Sequence, residues 1–323
     1  MRAVVLNGTC EPKEMKVTQI DIPTVKSGWV LVKVKAFGLN HAELVLRKYE
    51  ADASYIKKPI VPGIECVGVI EDSSDSRFQK GEIVVALMGG MGRSFHGSYA
   101  EYALLPQTHV FSIKTNLDWV KMAAIPETFF TAYGSLFECL QLQKVDILLV
   151  HGATSALGLA AIQLAKATGC TVIGTSRKAE RMDFLRSVGV DYALLDDETL
   201  NDDILNIFPD GISKVLELVG PVAIRETSKL LKKHGIICST GQLGETPRDG
   251  FDVIKNIPNG VYLSSFYSNY PSQEVMDDIF SMIEKHHIEP IVGKVLSLEE
   301  IVVAHEIMER SSANGKIVIK VEE

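Results

Sequence analysis

The chain has 323 residues, 46% of them apolar and 23% charged, which is the balance of a soluble globular protein with room for two domains. Its formal net charge is −8, from 33 Lys and Arg against 41 Asp and Glu, which disfavours nucleic acid or an anionic membrane as the main partner. No apolar run reaches the roughly 18 residues of a membrane-spanning helix, and the chain opens in a strand-like run, so neither a transmembrane segment nor a signal peptide is expected.

Residues 1–120 read as mostly β. Strand-like runs are Ala3–Leu6, Met15–Ile20, Trp29–Phe37, Cys66–Glu71, Ile83–Leu87 and Tyr99–Leu104, separated by turn formers such as Pro23, Gly28, Pro62-Gly63 and Gly81. Short strands punctuated in this way predict a barrel or sandwich, with one short helix over His41–Tyr49. From about 120 the period changes. Asp118 is placed to cap a helix from Trp119 to Ala124, and a second helix is predicted over Phe129–Leu140. Strands Ile147–Val150, Thr171–Thr175, Tyr192–Leu195, Lys214–Val219, Gly235–Thr240 and Val261–Phe266 then alternate with helical stretches, the pattern of a parallel, doubly wound sheet. After Pro271 come a helix (Gln273–His286), two short strands around Pro290–Leu296, a helix (Leu298–Arg310) and a last strand, Lys316–Val321. The five cysteines, Cys10, Cys66, Cys139, Cys170 and Cys238, are odd in number and lack C-x-x-C spacing. That usage fits a reducing, cytoplasmic compartment and argues against a structural zinc cluster.

The stretch from Ile147 to Thr175 is the most informative. An apolar run is followed by small residues from Gly152 to Ala156, then by Leu157, Ala160, Ala161, Leu164 and Ala165 at helical spacing, Gly169 as a C-terminal cap, and a second apolar run. Such a βαβ turn presents backbone N–H groups at a helix N-terminus, where a pyrophosphate can bind. Set against G-x-G-x-x-G, the positions are Ala153, Thr154, Ser155, Ala156, Leu157 and Gly158, and only the last glycine survives. The alternative is an ordinary crossover with small packing residues. About 20 residues past such a turn, an NAD site carries an acid for the ribose hydroxyls. Here the chain has Thr175-Ser176-Arg177-Lys178, with Arg181 one turn later. A hydroxyl and cations suit a 2′-phosphate; for Lys178 and Arg181 the alternative is a solvated helix start.

Six segments in order resemble the medium-chain dehydrogenase/reductase superfamily along essentially the whole chain, and within it the zinc-free quinone oxidoreductase branch. They are Val34-Lys-Ala-Phe-Gly-Leu-Asn40, Pro62-Gly-Ile-Glu-Cys-Val-Gly68, Gly97-Ser-Tyr-Ala-Glu-Tyr102, Ala123-Ala-Ile-Pro-Glu-Thr-Phe-Phe-Thr-Ala-Tyr133, the turn after Ile147–Val150, and Asn314-Gly-Lys-Ile-Val318. The resemblance implies an α/β chain with a GroES-like β-barrel domain (1–120), a Rossmann doubly wound domain (121–266) and a C-terminal return to the first domain (267–323), with the active site in the cleft between them. Zinc-dependent members place Cys, His and Cys ligands where this chain has Asn40, Ile64 and Glu127, and the loop 88–96 has no cysteine, so no metal is expected.

The resemblance further puts Asn40 beside a nicotinamide, able to bind a substrate carbonyl or the cofactor's carboxamide; the alternative is a turn residue. Thr131 falls at a nicotinamide-side position, or is a mid-helix Thr bonded to its own backbone. Tyr49 is a candidate pocket residue and Glu43 a support for the local backbone. Residues past the C-terminal ends of parallel strands face a ligand, which selects Leu218-Val219-Gly220, Ser239–Gly244 with Gly241 and Leu243, and Ser265 with Phe266. Asp196 stands where some relatives have a Tyr near the adenosine phosphate, and a carboxylate aimed inward there would repel a 2′-phosphate. No acid–base dyad is evident. The leading expectation is an NADPH-dependent, zinc-independent reductase of quinones or related conjugated carbonyls. The alternatives are a 2-alkenal or enone reductase and a non-catalytic NADPH-binding sensor or structural protein. A homodimer paired through the edge strand Val261–Phe266 is expected, with a small-molecule partner and neither nucleic acid nor membrane.

Overall fold

The strand Trp29–Gly38 explains the first half of the chain. Its alternation of Val and Lys buries Val30, Val32 and Val34 while Lys33 and Lys35 stay at the rim. One edge pairs antiparallel with Glu65–Asp72; the other is shared, residues 29–33 pairing with Tyr102–Pro106 and residues 36–38 with Lys316–Lys320. In this computed structural model residues 1–74, 77–241, 243, 251 and 256–321 are described. They divide into two units, Met1–Phe130 with Asn269–Glu323, and Thr131–Ser268.

The first unit holds a seven-stranded sheet and a separate pair, Arg2–Val4 with Val17–Gln19. One of its strands, Val110–Ser112, has no counterpart in the predicted elements, because three residues are too few to show an alternation. The predicted strand Tyr99–Leu104 lies instead at Tyr102–Pro106, and the two short strands around Pro290 are one, Val292–Ser297, parallel to Lys316–Lys320. Asp118 caps the helix Trp119–Ala123 as expected, its Oδ1 accepting the N–H groups of Val120 and Lys121, both at 2.9 Å.

The helix predicted over His41–Tyr49 is α-helical only to Val45 and continues as a π-turn, Leu46–Glu50. That turn carries Arg47 into the core, where it has no exposed surface. Arg47 ion-pairs with Glu309, donates to the Cys10 carbonyl, and donates through Nε to His305 Nδ1 at 3.3 Å. Because a guanidinium only donates, His305 Nδ1 is the acceptor, and Nε2–H donates to Tyr99 Oη at 3.1 Å. Burial and the Arg47 charge push the His305 imidazole down to about 3, so it is neutral.

The second unit is one parallel sheet. Its strand order is Tyr192–Leu195, Thr171–Ser176, Ile147–His151, Ile212–Glu217, Leu231–Ser239, Tyr262–Ser265. Helices cross between strands, as the apolar runs and their spacing predict, so the chain has the expected α/β architecture of a GroES-like unit and a doubly wound Rossmann unit. The helix predicted over Phe129–Leu140 is α-helical over Pro126–Tyr133 and then a π-turn, Gly134–Cys139. Gly134 is required there, since a Cβ would lie 2.0 Å from the Phe266 ring. Gly169 ends the helix Ala156–Thr168 in the left-handed region, φ +86°, where glycine is favoured. No helix of the described residues is long and apolar enough to cross a membrane.

Removing one member of a buried ionic network strands its partners. Arg47→Ala is therefore expected to lower the unfolding free energy by about 3–5 kcal/mol, read from the urea midpoint. A loss below about 1 kcal/mol would show that the network carries little of the stability.

Candidate active site

In the second unit the strand order reverses on either side of Ile147–His151, which makes the end of that strand a switch point. The turn after it is built by three contacts. Gly152 N–H donates to Thr175 Oγ1 at 3.2 Å, Ala153 N–H to the Thr175 carbonyl at 3.1 Å, and Ser155 Oγ–H to the Gly152 carbonyl at 2.9 Å. Ser155 is the N-cap of the helix Ala156–Thr168, its Oγ accepting the Gly158 N–H at 3.0 Å. Ala156 and Leu157 are the first helical residues, whose N–H groups have no intrahelical acceptor. With the helix dipole they favour an anion, and the donor set fits a pyrophosphate.

The turn's side chains divide. Ala153 is buried, packing against the helix and Gly174; a Cβ at Gly158 would sit 2.7 Å from the Ala153 carbonyl, so that glycine is a packing requirement. Gly152 has φ +87° and open space around it, its nearest neighbours being Leu218, Leu243 and Val219 at 3.4–3.6 Å from a built Cβ. The structure thus brings Leu218, Val219 and Leu243 to Gly152, while Thr154, the next turn residue but one, is half-buried. Gly241 belongs beside them, but the close approach that forbids its side chain is to the Leu218 backbone, 2.2 Å from a built Cβ. Gln242 and Gly244 lie outside the described residues.

Thr131 is buried in its helix; its carbonyl accepts Ser135 Oγ–H at 2.7 Å, and Ser135 Oγ meets Thr240 Oγ1 at 2.8 Å. Ser265 pairs beside Ser239 and is exposed, and Phe266 packs on Gly134.

At the ribose end, Ser176 is buried at the close of its strand, with Oγ accepting the Lys178 N–H at 3.2 Å, while Arg177 is exposed and Arg181 half-buried. Asp196 follows the neighbouring strand and donates its N–H to the Ser176 carbonyl at 2.9 Å. Its carboxylate does not stand alone. His151 Nε2 lies 3.1 Å from Asp196 Oδ1, and His151 Nδ1 lies 2.9 Å from both oxygens of Glu217. Carboxylates only accept, so both ring nitrogens carry protons and the ring is a cation. Burial opposes that charge, but the hydrogen bonds and charges of Asp196 and Glu217 outweigh it and raise His151 to about 9. The His151 hydrogen bond holds Asp196 below the usual carboxylate range, with Arg177 adding to the effect. Glu217 is fully buried and also accepts from Val219 N–H at 2.9 Å, Gly220 N–H at 3.2 Å and Thr227 Oγ–H at 2.9 Å.

In the first unit, Asn40 caps the helix His41–Val45 and sits in a second polar cluster. Lys316 is buried, and its Nζ lies 2.6 Å from Asn40 Oδ1, 2.7 Å from Thr128 Oγ1 and 2.6 Å from Glu65 Oε1. All three ammonium protons are therefore used. Asn40 Nδ2 donates to Glu65 Oε1 at 2.8 Å, and Glu127 N–H donates to Glu65 Oε2 at 2.8 Å. Because lysine only donates and a carboxylate only accepts, the Asn40 amide has one orientation, with one N–H left over on a half-buried side chain. Glu43 accepts the N–H groups of Asn40 and Ile64 at 2.6 and 3.0 Å; burial pushes its carboxyl up to about 7 although those bonds and Lys316 resist. Gly38 makes room for the cluster, since a Cβ there would meet Lys316 Cε at 2.3 Å. Tyr49, the candidate pocket residue, is exposed, and its near neighbour Arg47 is in the core. Among the described residues no three His, Cys, Asp or Glu side chains are grouped to hold a metal.

Lys316, Thr128, His151 and Glu217 escaped the sequence reading as site residues. The available signal was charge inside apolar strand runs: Lys316 before Ile-Val-Ile, and Glu217 within Val-Leu-Glu-Leu-Val.

The comparisons bear on the family and the fold. The family model for the alcohol dehydrogenase GroES-like domain matches residues 26–115, and that for zinc-binding dehydrogenase matches residues 156–284. Quinone oxidoreductase of Homo sapiens is 30% identical over 331 residues, covering 99% of this chain and 97% of that protein. The synaptic vesicle membrane protein VAT-1 homolog of Danio rerio is 28% identical, covering 99% of this chain and 70% of the relative. A solved NAD-dependent alcohol dehydrogenase superposes with TM-score 0.88 at 26% identity over 100% of both chains. The quinone oxidoreductase of Coxiella burnetii, at 23% identity and TM-score 0.86 over 100% and 99%, shares the fold. The chain belongs to the medium-chain dehydrogenase/reductase superfamily, in its quinone oxidoreductase-like branch, and is an oxidoreductase of that family.

The His151 charge gives the second unit a pH signature. A histidine raised from 6.5 to about 9 on folding contributes stability that is complete below about pH 6.5 and lost as pH rises through about 9. The denaturation midpoint of the wild type is expected to fall across that window, and His151→Gln to remove the slope. A wild-type midpoint flat across the window would show the ring to be neutral.

Proposed function

We propose that the chain is an NADPH-dependent reductase of quinones and related conjugated carbonyls, acting without zinc. The observation that carries the reading is the Lys316–Glu65–Asn40 cluster. Zinc-dependent relatives of the resembled family hold a metal with side chains at the positions of Asn40, Ile64 and Glu127. Here Ile64 has no donor atom, and a buried ammonium already satisfies Glu65 and the Asn40 carbonyl. A divalent cation placed beside that ammonium would be repelled. What remains is one oriented amide N–H on Asn40.

Bound NADPH would supply the hydride. On the protein's side, the amides of Ala156 and Leu157 and the exposed Arg177 support its pyrophosphate and 2′-phosphate, and the Asn40 N–H donates to the acceptor oxygen as negative charge develops. Oxidising a simple alcohol requires loss of a tightly held proton, which zinc enzymes achieve by lowering the pKa of the bound oxygen. Near Asn40 the carboxylates of Glu65 and Glu43 are committed to N–H donors, so neither of these two stands ready as a base. A conjugated carbonyl needs no such base, because its electrophilic carbon is already polarised and solvent can supply the final proton. The relative at 30% identity, a quinone oxidoreductase, supports this acceptor class.

Turnover is expected with 1,4-benzoquinone, 9,10-phenanthrenequinone and short enals, but not with ethanol and NADP⁺, in protein that holds well below one zinc per chain. Asn40→Ala should lower kcat/KM for those acceptors by roughly a hundredfold, about 3 kcal/mol of barrier, and NADPH affinity much less. Robust ethanol oxidation, or an unchanged kcat/KM in Asn40→Ala, would sink the mechanism. For the cofactor, Arg177→Ala should weaken NADPH roughly ten- to a hundredfold and leave NADH nearly unchanged. Equal losses for both would assign Arg177 a structural role.

A further inference from the structure

An NAD-type site uses a carboxylate at a strand end to bind the ribose hydroxyls. Where that acid would stand this chain has Ser176 and Arg177, but Asp196, at the end of the adjacent strand, donates its N–H to the Ser176 carbonyl and so brings a carboxylate to the same strand end. It also has a device that occupies it. The strand Thr171–Ser176 lies between the strands Ile147–His151 and Tyr192–Leu195. His151 ends the first flanking strand and Asp196 follows the second, so their 3.1 Å ion pair spans the end of the central one, at the level of Thr175 and Ser176. Behind the imidazolium, Glu217 receives the other N–H at 2.9 Å and is itself anchored by Val219, Gly220 and Thr227. The ring is therefore fixed from one side and free to do one thing on the other, which is to hold Asp196.

We propose that His151 is a cofactor-specificity residue: it clamps the Asp196 carboxylate and cancels its charge, so that the neighbouring Arg177 takes the adenosine 2′-phosphate. The inference rests on the NADPH reading above and deepens it. Without the clamp, the Asp196 carboxylate is left without its imidazolium partner at that strand end. Asp196 would then turn to Arg177, the remaining cation whose charge already reaches it, or to the ribose hydroxyls. Both outcomes disfavour a 2′-phosphate and spare a 2′-hydroxyl. Ser176 and Arg177 alone do not account for the preference, because their effect depends on an acid next door being neutralised.

Equilibrium binding of NADPH and NADH to the full-length protein, followed by fluorescence, tests this, with adenosine 2′,5′-bisphosphate and AMP as fragment probes. The wild type is expected to favour NADPH by about tenfold or more. His151→Gln should lower the NADPH-to-NADH affinity ratio by about tenfold, mostly through NADPH, and lower bisphosphate binding in parallel. Adding Asp196→Asn to His151→Gln should restore the ratio, because a carboxamide needs no clamp. An unchanged ratio in His151→Gln, equal loss of both cofactors, or no recovery in the double variant overturns the inference. A wild type that binds NADH as tightly as NADPH overturns the cofactor reading itself, and this inference with it. Should His151→Gln fail to fold, the wild-type ratio measured from about pH 7 to about pH 10 reads the same clamp. Deprotonating His151, whose charged partners among the described residues are Asp196 and Glu217, with Arg177 beyond Asp196, must then lower NADPH affinity and spare NADH. A ratio flat to about pH 10 overturns the proposal.

Discussion

A charge taken out of water survives only where every donor and acceptor around it is matched, and this constraint shapes both units. In the first unit it is met by Lys316, whose three protons go to Asn40, Thr128 and Glu65. In the second it is met by His151, whose two protons go to Glu217 and Asp196. Each cation neutralises carboxylates that would otherwise be too costly to bury, and each fixes one polar group at a strand or helix end with a single orientation. Asn40 is aimed because Lys316 holds its carbonyl, and Asp196 is held because His151 donates to its Oδ1.

The two clusters also explain why small residues stand where they do. Gly38 clears space for Lys316 and Glu65, and Gly158 lets the helix after the turn sit against Ala153. Neither glycine is at a positive φ, so the demand is for room and not for backbone freedom. At Gly152 the reverse holds: φ is +87° and space is open, so the backbone turn itself requires the residue. A degenerate glycine fingerprint can therefore keep the geometry of a pyrophosphate turn, provided the two jobs of conformation and clearance still fall on glycine.

The Arg47–His305–Tyr99 network shows the same rule used for stability alone. Its imidazole is neutral because burial and the neighbouring guanidinium both oppose the charge, whereas His151 is charged because two carboxylates outweigh the same cost of burial. Two buried histidines in one chain thus take opposite protonation states because their partners differ.

Much of the fold was legible in the amino-acid order. The inner parallel strands read as apolar runs because both faces of such a sheet are covered there, and the capping residues Asp118 and Gly169 act over three or four positions. Those signals are local. The strand Val110–Ser112 and the π-turns at Leu46–Glu50 and Gly134–Cys139 were not legible, since a three-residue strand has no period and a π-turn reads as helix. The site divides in the same way. The turn from Gly152 to Leu157 and Ser176 with Arg177 stand out by residue type and spacing, and Asn40 through the family resemblance. The groups that aim them do not: Lys316 is 276 positions from Asn40, and Glu217 and Asp196 are 66 and 45 positions from His151. By itself the sequence determined which elements form and which residues carry hydroxyl, amide or charge. Which charge faces which was decided only by the tertiary structure, because ion pairing depends on distance in space, and periodicity along the chain carries no record of it.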